Sequence, residues 1–466
     1  MRAHEAGWAH AVASVRGPAW LSEPADVNAL VPQLWSGTAR KVDGVLEIGG
    51  VRMTDLVARH GSPAYVLDEA DFRARARAFR DGFEGWDVFY AGKAFLCTSV
   101  ARWVAEEGLS LDVCSGGELA VAERAGFPIN RVGFHGNNKS EAELRRALEL
   151  GVGRIVVDSF DEIERLSALV AGGTGVGARV MVRVTAGVEA HTHEYIATAH
   201  EDQKFGFSIT DGAALAAVRR IRALPGLELL GLHSHIGSQI FDSSGFEVAA
   251  RRVLALHAQI AEEVGVELPE LDLGGGFGIA YTTQDDPSDA AQLAVEMTKI
   301  VREECARRDL ALPRLSVEPG RAIVGPAMCT VYEVGTIKRV ELDGGAVRTY
   351  VSVDGGMSDN IRTALYDADY SCTLAGRESQ APPLMTRIVG KHCEAGDIVV
   401  KDEFLPGDVA PGDLVAVPGT GAYCRSMASN YNHALRPPVV AVREGESRLV
   451  VRREELADLL ATDVDG

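Results

Sequence analysis

Between residues 87 and 317 the chain repeats one pattern: a short apolar run, a polar residue, then a helical segment rich in Ala, Glu, Arg and Leu. The runs lie near 87–90, 110–113, 131–134, 154–157, 179–184, 227–232, 270–273 and 314–317. Strands and helices alternating eight times predict a (β/α)8 barrel, with a doubly wound open sheet as the competing arrangement. The polar residues decide between them. Lys93, Asp112, His135, Asp158, Arg183, His235, the Gly274 to Gly276 run and Glu318 each stand at or just past the C-terminal end of one apolar run. Barrel enzymes gather their chemistry at that one face from several strands. A TIM-like barrel is therefore expected, with its site at that face.

The flanks read differently. Residues 42–51 alternate and are punctuated by glycine, predicting a strand or hairpin. A helix follows over 54–60 with Gly61 as its stop, then a strand over 64–67 and an amphipathic helix over 68–83. Past Gly325 the helical rhythm ends. The β-rich runs 331–334, 350–353, 387–389, 398–400 and 414–417 predict a second, all-β domain, completed by the strands before residue 60 and followed by a helix over 452–460. The expected domains are a weakly ordered extension over 1–22, a barrel over 63–324, and a β domain built from 23–62 and 325–466.

Charge and cysteine usage narrow the function classes. With 47 basic and 66 acidic residues the formal net charge is −19, which argues against nucleic acid or an anionic membrane as partner. An anionic substrate must then be captured by local arginines and backbone amides. The seven cysteines are scattered without a Cys-x-x-Cys pair, as expected for reduced thiols in the cytoplasm. No apolar run reaches membrane-spanning length, and Glu5 and His10 interrupt any secretory signal.

Lys93 stands among apolar neighbours in Tyr90-Ala-Gly-Lys-Ala-Phe95, a setting in which desolvation of the ammonium would free the amine for a Schiff base. The glycines of Leu271-Asp-Leu-Gly-Gly-Gly-Phe-Gly278 follow the seventh strand. There backbone amides, aided by a following helix N-terminus, can close around a phosphate. Glu318 and Arg321, in Ser316-Val-Glu-Pro-Gly-Arg321, place a carboxylate and a guanidinium at the barrel mouth. An internal ion pair between those two is the plainer alternative. His235 could lie on an aromatic cofactor and Ser238 could donate to its phosphate. His191 and His193 have no further ligand cluster beside them, so no metal is expected. In the second domain, Arg362 and Tyr366 share a face if helical; Lys391-His-Cys-Glu-Ala-Gly-Asp397 carries a thiol beside carboxylates, and Tyr423 lies in a glycine-rich turn.

These motifs, in order, resemble the fold-type III pyridoxal-phosphate decarboxylases and, among them, the diaminopimelate decarboxylase family. The match runs from about residue 30 to 455 through Y-A-G-K-A-F, L-D-V-C-S-G-G-E, H-G-N-N-K-S, H-T-H-E-Y-I-A-T-A-H-E-D-Q-K-F-G, H-S-H-I-G-S-Q, G-G-G-F-G, E-P-G-R, D-G-G-M-S-D-N-I-R and C-E-A-G-D. The resemblance implies an alanine racemase-like N-terminal barrel, a C-terminal Greek-key-type β domain, and a homodimer with shared active sites. It implies that Lys93 binds pyridoxal 5'-phosphate as a Schiff base and that Glu318 pairs with its ring nitrogen. By the same resemblance Asp112, His235, Ser238, Gly275, Gly276, Gly320, Arg321 and Tyr423 complete the cofactor site. Arg321, Arg362, Tyr366, Glu394 and Tyr423 would receive meso-diaminopimelate. Cys393 would act as proton donor across the dimer interface, giving L-lysine and carbon dioxide. Two positions depart from the family pattern: Ala395 replaces a usual serine, and Gly92 stands where Ala or Val is more frequent. A decarboxylase acting on ornithine, lysine or arginine is the nearest alternative, and a non-catalytic cofactor-binding homologue the more distant one.

Overall fold

The computed structural model describes residues 17–187, 204–342 and 347–464. These form two compact units: the described residues of Met1–Phe72, Ile279–Asp286 and Val324–Gly466, and those of Arg73–Gly278 and Pro287–Ile323. The expected elements at 1–16 and in the 188–203 connection, including His191 and His193, lie outside the described residues.

The second unit is a closed parallel barrel. Its strands are β1 (Asp87–Ala91), β2 (Ser110–Val113), β3 (Val132–Phe134), β4 (Arg154–Val157), β5 (Ala178–Thr185), β6 (Leu227–Ser234), β7 (Glu270–Asp272) and β8 (Arg314–Val317). Each pairs in parallel with the next, and β8 returns to β1 through Ser316 opposite Asp87 and Val317 opposite Val88. Local chemistry sets the intervening helices. Ser115, Ser140 and Ser159 each cap a helix by accepting from the amide three residues on, and Ser140 and Glu143 form a reciprocal capping box. Leu144, Ala147 and Leu148, spaced three and four apart, bury one face of the helix Glu141–Leu150.

The barrel interior is not purely apolar. Arg154 of β4 is buried, pairs with Asp272 of β7, donates to Ser316 Oγ of β8 at 3.1 Å, and lies 3.7 Å from the ring centre of Phe89 in β1. A buried guanidinium is tolerated only when paired and hydrogen-bonded in this way.

The first unit is β-rich. Met328–Glu341 is its spine. The first half pairs antiparallel with Ala64–Asp68 and with Leu414–Val417, and the second half with Val347–Val353. Pro383–Val389 and Ile398–Pro406 extend one end of the sheet, and the hairpin Val439–Arg443 with Glu446–Val451 extends the other. Leu46, Ile48, Val51, Met53 and Leu56, from the small sheet and helix over 40–60, share one apolar core with Val66, Val331, Ala416 and Val440.

Three expectations need correction. Residues 64–68, grouped with the barrel from residue 63, ladder with Met328 to Val331 and Val439 to Val442 and so belong to the β unit. The last helix is only Leu456–Leu460; residues 446–451 pair as a strand, and Glu455 caps the helix that follows. No helix directly follows the Gly274 to Gly278 turn, since the next begins at Ala290.

Candidate active site

The C-terminal ends of the barrel strands surround a cavity with about 670 Å³ of atom-free space, its open mouth included. Lys93, Asp112, His135, Arg183, His233, His235 and Glu318 line it. Each comes from or just after a different strand end, except that His233 lies on β6 and His235 just after it. Being two apart, these two side chains fall on the same side of the chain.

Lys93 stands beyond β1 and is exposed, flanked by buried Gly92 and Ala94. Glu318 is buried. His233 Nε2 lies 2.9 Å and His135 Nε2 lies 3.4 Å from its Oε1. Burial alone would raise the Glu318 carboxyl, but the facing histidines bring it below its ordinary value, so it stays ionised. Burial drives His135 down to about 3, against the opposing pull of Glu318, so its ring is neutral. Asp112 Oδ1 lies 3.1 Å from the same His135 nitrogen, and burial pushes the Asp112 carboxyl up to about 8. The alternative, an internal Glu318–Arg321 ion pair, is not what forms, because Glu318 faces histidines and Arg321 Nη2 donates to Ser238 Oγ at 2.8 Å.

His235 accepts from the Gly275 amide at Nδ1 over 3.3 Å, which leaves the proton on Nε2. Burial, then the nearby Lys93 charge, hold its imidazolium well below the usual range. The glycines bring the surrounding loops together. A Cβ on Gly275 would lie 2.4 Å from the Glu318 carbonyl oxygen, and one on Gly320 would lie 2.8 Å from that of Ala91. Gly276, at φ +114°, packs its backbone on Gly237. Backbone contact between the loops after β6, β7 and β8 thus gathers Ser238, Gly275, Gly276, Gly320 and Arg321.

The remaining expected residues lie in the β unit. Arg362 begins the short helix Arg362–Tyr366, so the condition under which the two residues share a face is met. It is buried: Nη1 donates to Tyr370 Oη at 2.6 Å, and the guanidinium lies 4.5 Å from the Tyr281 ring centre. Tyr366 is half-buried, and Tyr423 sits at φ +65°, a left-handed conformation uncommon for an aromatic residue. Cys393 and Glu394 are exposed on a loop held from behind. Asp397 accepts the Met357 amide at 2.6 Å and the His392 amide at 2.8 Å, and Asn432 Oδ1 accepts the Cys393 amide at 3.3 Å. Ala395 is exposed on the same loop.

His233, Cys114, Glu118 and Phe205 line the cavity without having been singled out from the sequence. The i, i+2 spacing from His235 was the available signal for His233, and that from Asp112 for Cys114. Donor atoms of His135, His233 and Glu318 all lie within 4.8 Å of one another.

Comparison with known proteins agrees with this geometry. Residues 69–325 match the family described as pyridoxal-dependent decarboxylase, pyridoxal binding domain. The diaminopimelate decarboxylase of Mycobacterium tuberculosis is 56% identical over 441 residues, covering 93% of this chain and 98% of the relative. That of Bacillus subtilis is 46% identical, covering 92% and 97%. Among solved structures, diaminopimelate decarboxylase from M. jannaschii superposes with a TM-score of 0.86 at 30% identity, covering 92% of this chain and 98% of that one. The chain belongs to the pyridoxal-dependent decarboxylases, within the diaminopimelate decarboxylase family.

Proposed function

We propose that the chain removes the carboxylate at the D-centre of meso-diaminopimelate, releasing carbon dioxide and L-lysine, with pyridoxal phosphate held at the barrel mouth. The observation that carries this is one cavity lined by an exposed lysine, a neutral histidine and a buried, ionised carboxylate. Those groups fit the cofactor. Lys93 supplies an amine for its aldehyde, and Glu318, a buried and ionised carboxylate, suits the ring N–H. His235 offers a ring face, and Ser238 with Arg321 and the Gly275–Gly276 backbone offers donors for the phosphate. Bound there, pyridoxal phosphate supplies an electron sink for the breaking carbon–carboxylate bond.

The chain's own groups do the rest. An ionised Glu318 favours a protonated ring nitrogen, and so a stronger sink. Neutral His235 adds no charge beside the reacting carbon. In this reading Asp112 belongs to the wall of the cofactor site. Arg321 and Arg362 answer the distal carboxylate, Glu394 the distal ammonium, and Tyr366 and Tyr423 close the substrate end. Cys393 returns a proton from sulfur to the carbon that lost carbon dioxide, and water re-protonates the thiolate. Its exposure and that of Glu394 support a homodimer in which this loop serves the site of a second copy.

The test is carbon dioxide release by purified protein supplied with pyridoxal phosphate and a panel of diamino acids. Turnover of meso-diaminopimelate is expected. Turnover of ornithine or lysine in its place would overturn the substrate assignment. Borohydride reduction followed by peptide mapping should place the cofactor on Lys93; a label elsewhere would overturn the site.

A further inference from the structure

A buried histidine usually announces its structural partner. His257 does so: its Nε2 accepts the Leu268 amide at 2.8 Å. His233 does not. It is equally buried, 1% exposed, yet neither ring nitrogen has a hydrogen-bond partner in line. Its Nε2 instead faces Glu318 Oε1 at 2.9 Å, close enough for an N–H···O bond but misdirected for one. Hydrogen bonds at catalytic sites are often poorly aligned before ligand binding and tighten with it. On the other flank His135 Nε2 lies 3.4 Å from the same oxygen and 3.1 Å from Asp112 Oδ1, and the two imidazoles meet edge to face with centroids 4.9 Å apart.

From this arrangement we infer that His233, aided by His135, is a positioning residue for Glu318. With the cofactor bound, the two N–H groups would close on Oε1, fixing the plane of the carboxylate and leaving Oε2 to the cofactor's ring N–H. The inference rests on the reading that Glu318 faces that nitrogen, and deepens it. A neutral imidazole has one N–H to give. For His135 that proton belongs on Nε2, where a lone pair would face the ionised Glu318 carboxylate. For His233 the same tautomer satisfies the one polar neighbour within reach of Nε2. Without these donors Glu318 would be a buried carboxylate near Asp112, a setting that favours protonation and loss of the ring N–H contact. The companion groups come from three other strand ends: Asp112 on β2, His135 after β3 and Arg154 on β4, the last balancing Asp272 and Asp112 beneath.

The experiment uses pyridoxal phosphate labelled with 15N in the ring, reconstituted into the full-length protein and observed by NMR. In the unaltered protein the ring nitrogen should resonate as protonated. His233→Gln, which keeps an N–H donor, should preserve that signal. His233→Phe, which keeps the ring volume without the donor, should move it toward the neutral position and weaken cofactor binding about ten- to a hundredfold. Glu318→Gln is the control for the underlying reading and should abolish the protonated signal. If Glu318→Gln changes nothing, the pairing of Glu318 with the ring is wrong. If Glu318→Gln moves the signal and His233→Phe leaves it in place, the positioning role is overturned. Should His233→Phe not fold, His135→Phe decides by the same measurement: a smaller shift in the same direction supports the role, and an unmoved signal overturns it.

Discussion

Replacing Lys139 with methionine isolates one buried charge. Its Nζ donates to the carbonyls of Gly136 at 2.8 Å and Val156 at 2.7 Å and to Glu162 Oε1 at 2.7 Å, with both side chains of the pair 1% exposed. Methionine keeps the apolar stem, so little packing is lost. What remains is Glu162 buried with the Asp158 amide at 3.0 Å as its chief polar contact, and two carbonyls deprived of a donor. Breaking a buried ion pair from one side costs about 3–5 kcal/mol. At ~2–4 °C per kcal/mol for a unit of this size, the barrel should melt on the order of 10 °C lower. Lys139→Met/Glu162→Leu removes both charges and should recover most of that loss, because the penalty comes from the uncompensated carboxylate and not from a missing attraction. Since the two units need not melt together, the loss should be read by hydrogen exchange on barrel peptides alongside the thermal scan. A single variant within ~1 kcal/mol of the parent, or a double variant as unstable as the single, would refute the reasoning.

Asp112 gives a pH prediction. Its folded carboxyl sits near 8 against an ordinary 3.8, chiefly through burial, so the folded chain holds a proton that the unfolded chain releases. That contribution to stability is full below about pH 4 and is lost as pH rises through 8; cofactor-free Asp112→Asn should therefore show a flatter decline in melting temperature between pH 5 and 8, and an unchanged slope would contradict it. Asp397→Asn replaces one of two acceptors holding the Cys393 loop with a donor, so turnover should fall about ten- to a hundredfold with cofactor affinity unaltered. Equal turnover would show that the loop does not need that clamp. Alkylation of the native protein should reach Cys393 first. Cys114, its thiol pushed up to about 12 chiefly by burial, should follow slowly, with Cys97, Cys305, Cys329, Cys372 and Cys424 protected. Early peptide-mapped labelling of any of those five would contradict the packing.

The barrel was legible because parallel strands buried on both faces leave unbroken apolar runs, and because one face collects the polar ends. Lys93, Asp112, His235 and Glu318 could be picked out for that reason. The strand Ala64–Asp68 was misassigned because its partners lie beyond residue 327 and after residue 438, pairings that no local pattern encodes. The hairpin over 439–451 was missed despite a usable signal: Glu444-Gly445 carries positive φ at both positions, the mark of a tight two-residue hairpin turn. Gly275 and Gly320 also answer a packing demand that the sequence did not show: a Cβ at either would press on neighbouring backbone. His233 was hidden inside a motif already explained by His235. No helix among the described residues is long and apolar enough to cross a membrane.

The guanidinium of Arg154 has a consequence for how the cylinder comes together. The seam between β8 and β1 joins the two ends of the barrel's sequence, so it carries the largest loop-closure cost of the ring. Arg154 touches both sides of that seam, through Ser316 on one flank and Phe89 on the other, while gripping Asp272. Until the last strand docks, its charge has no complete set of partners. Afterwards it bolts the ring shut beneath the floor on which Glu318 and its histidines stand. A half-assembled chain therefore has no finished seat to offer, and loading waits on closure.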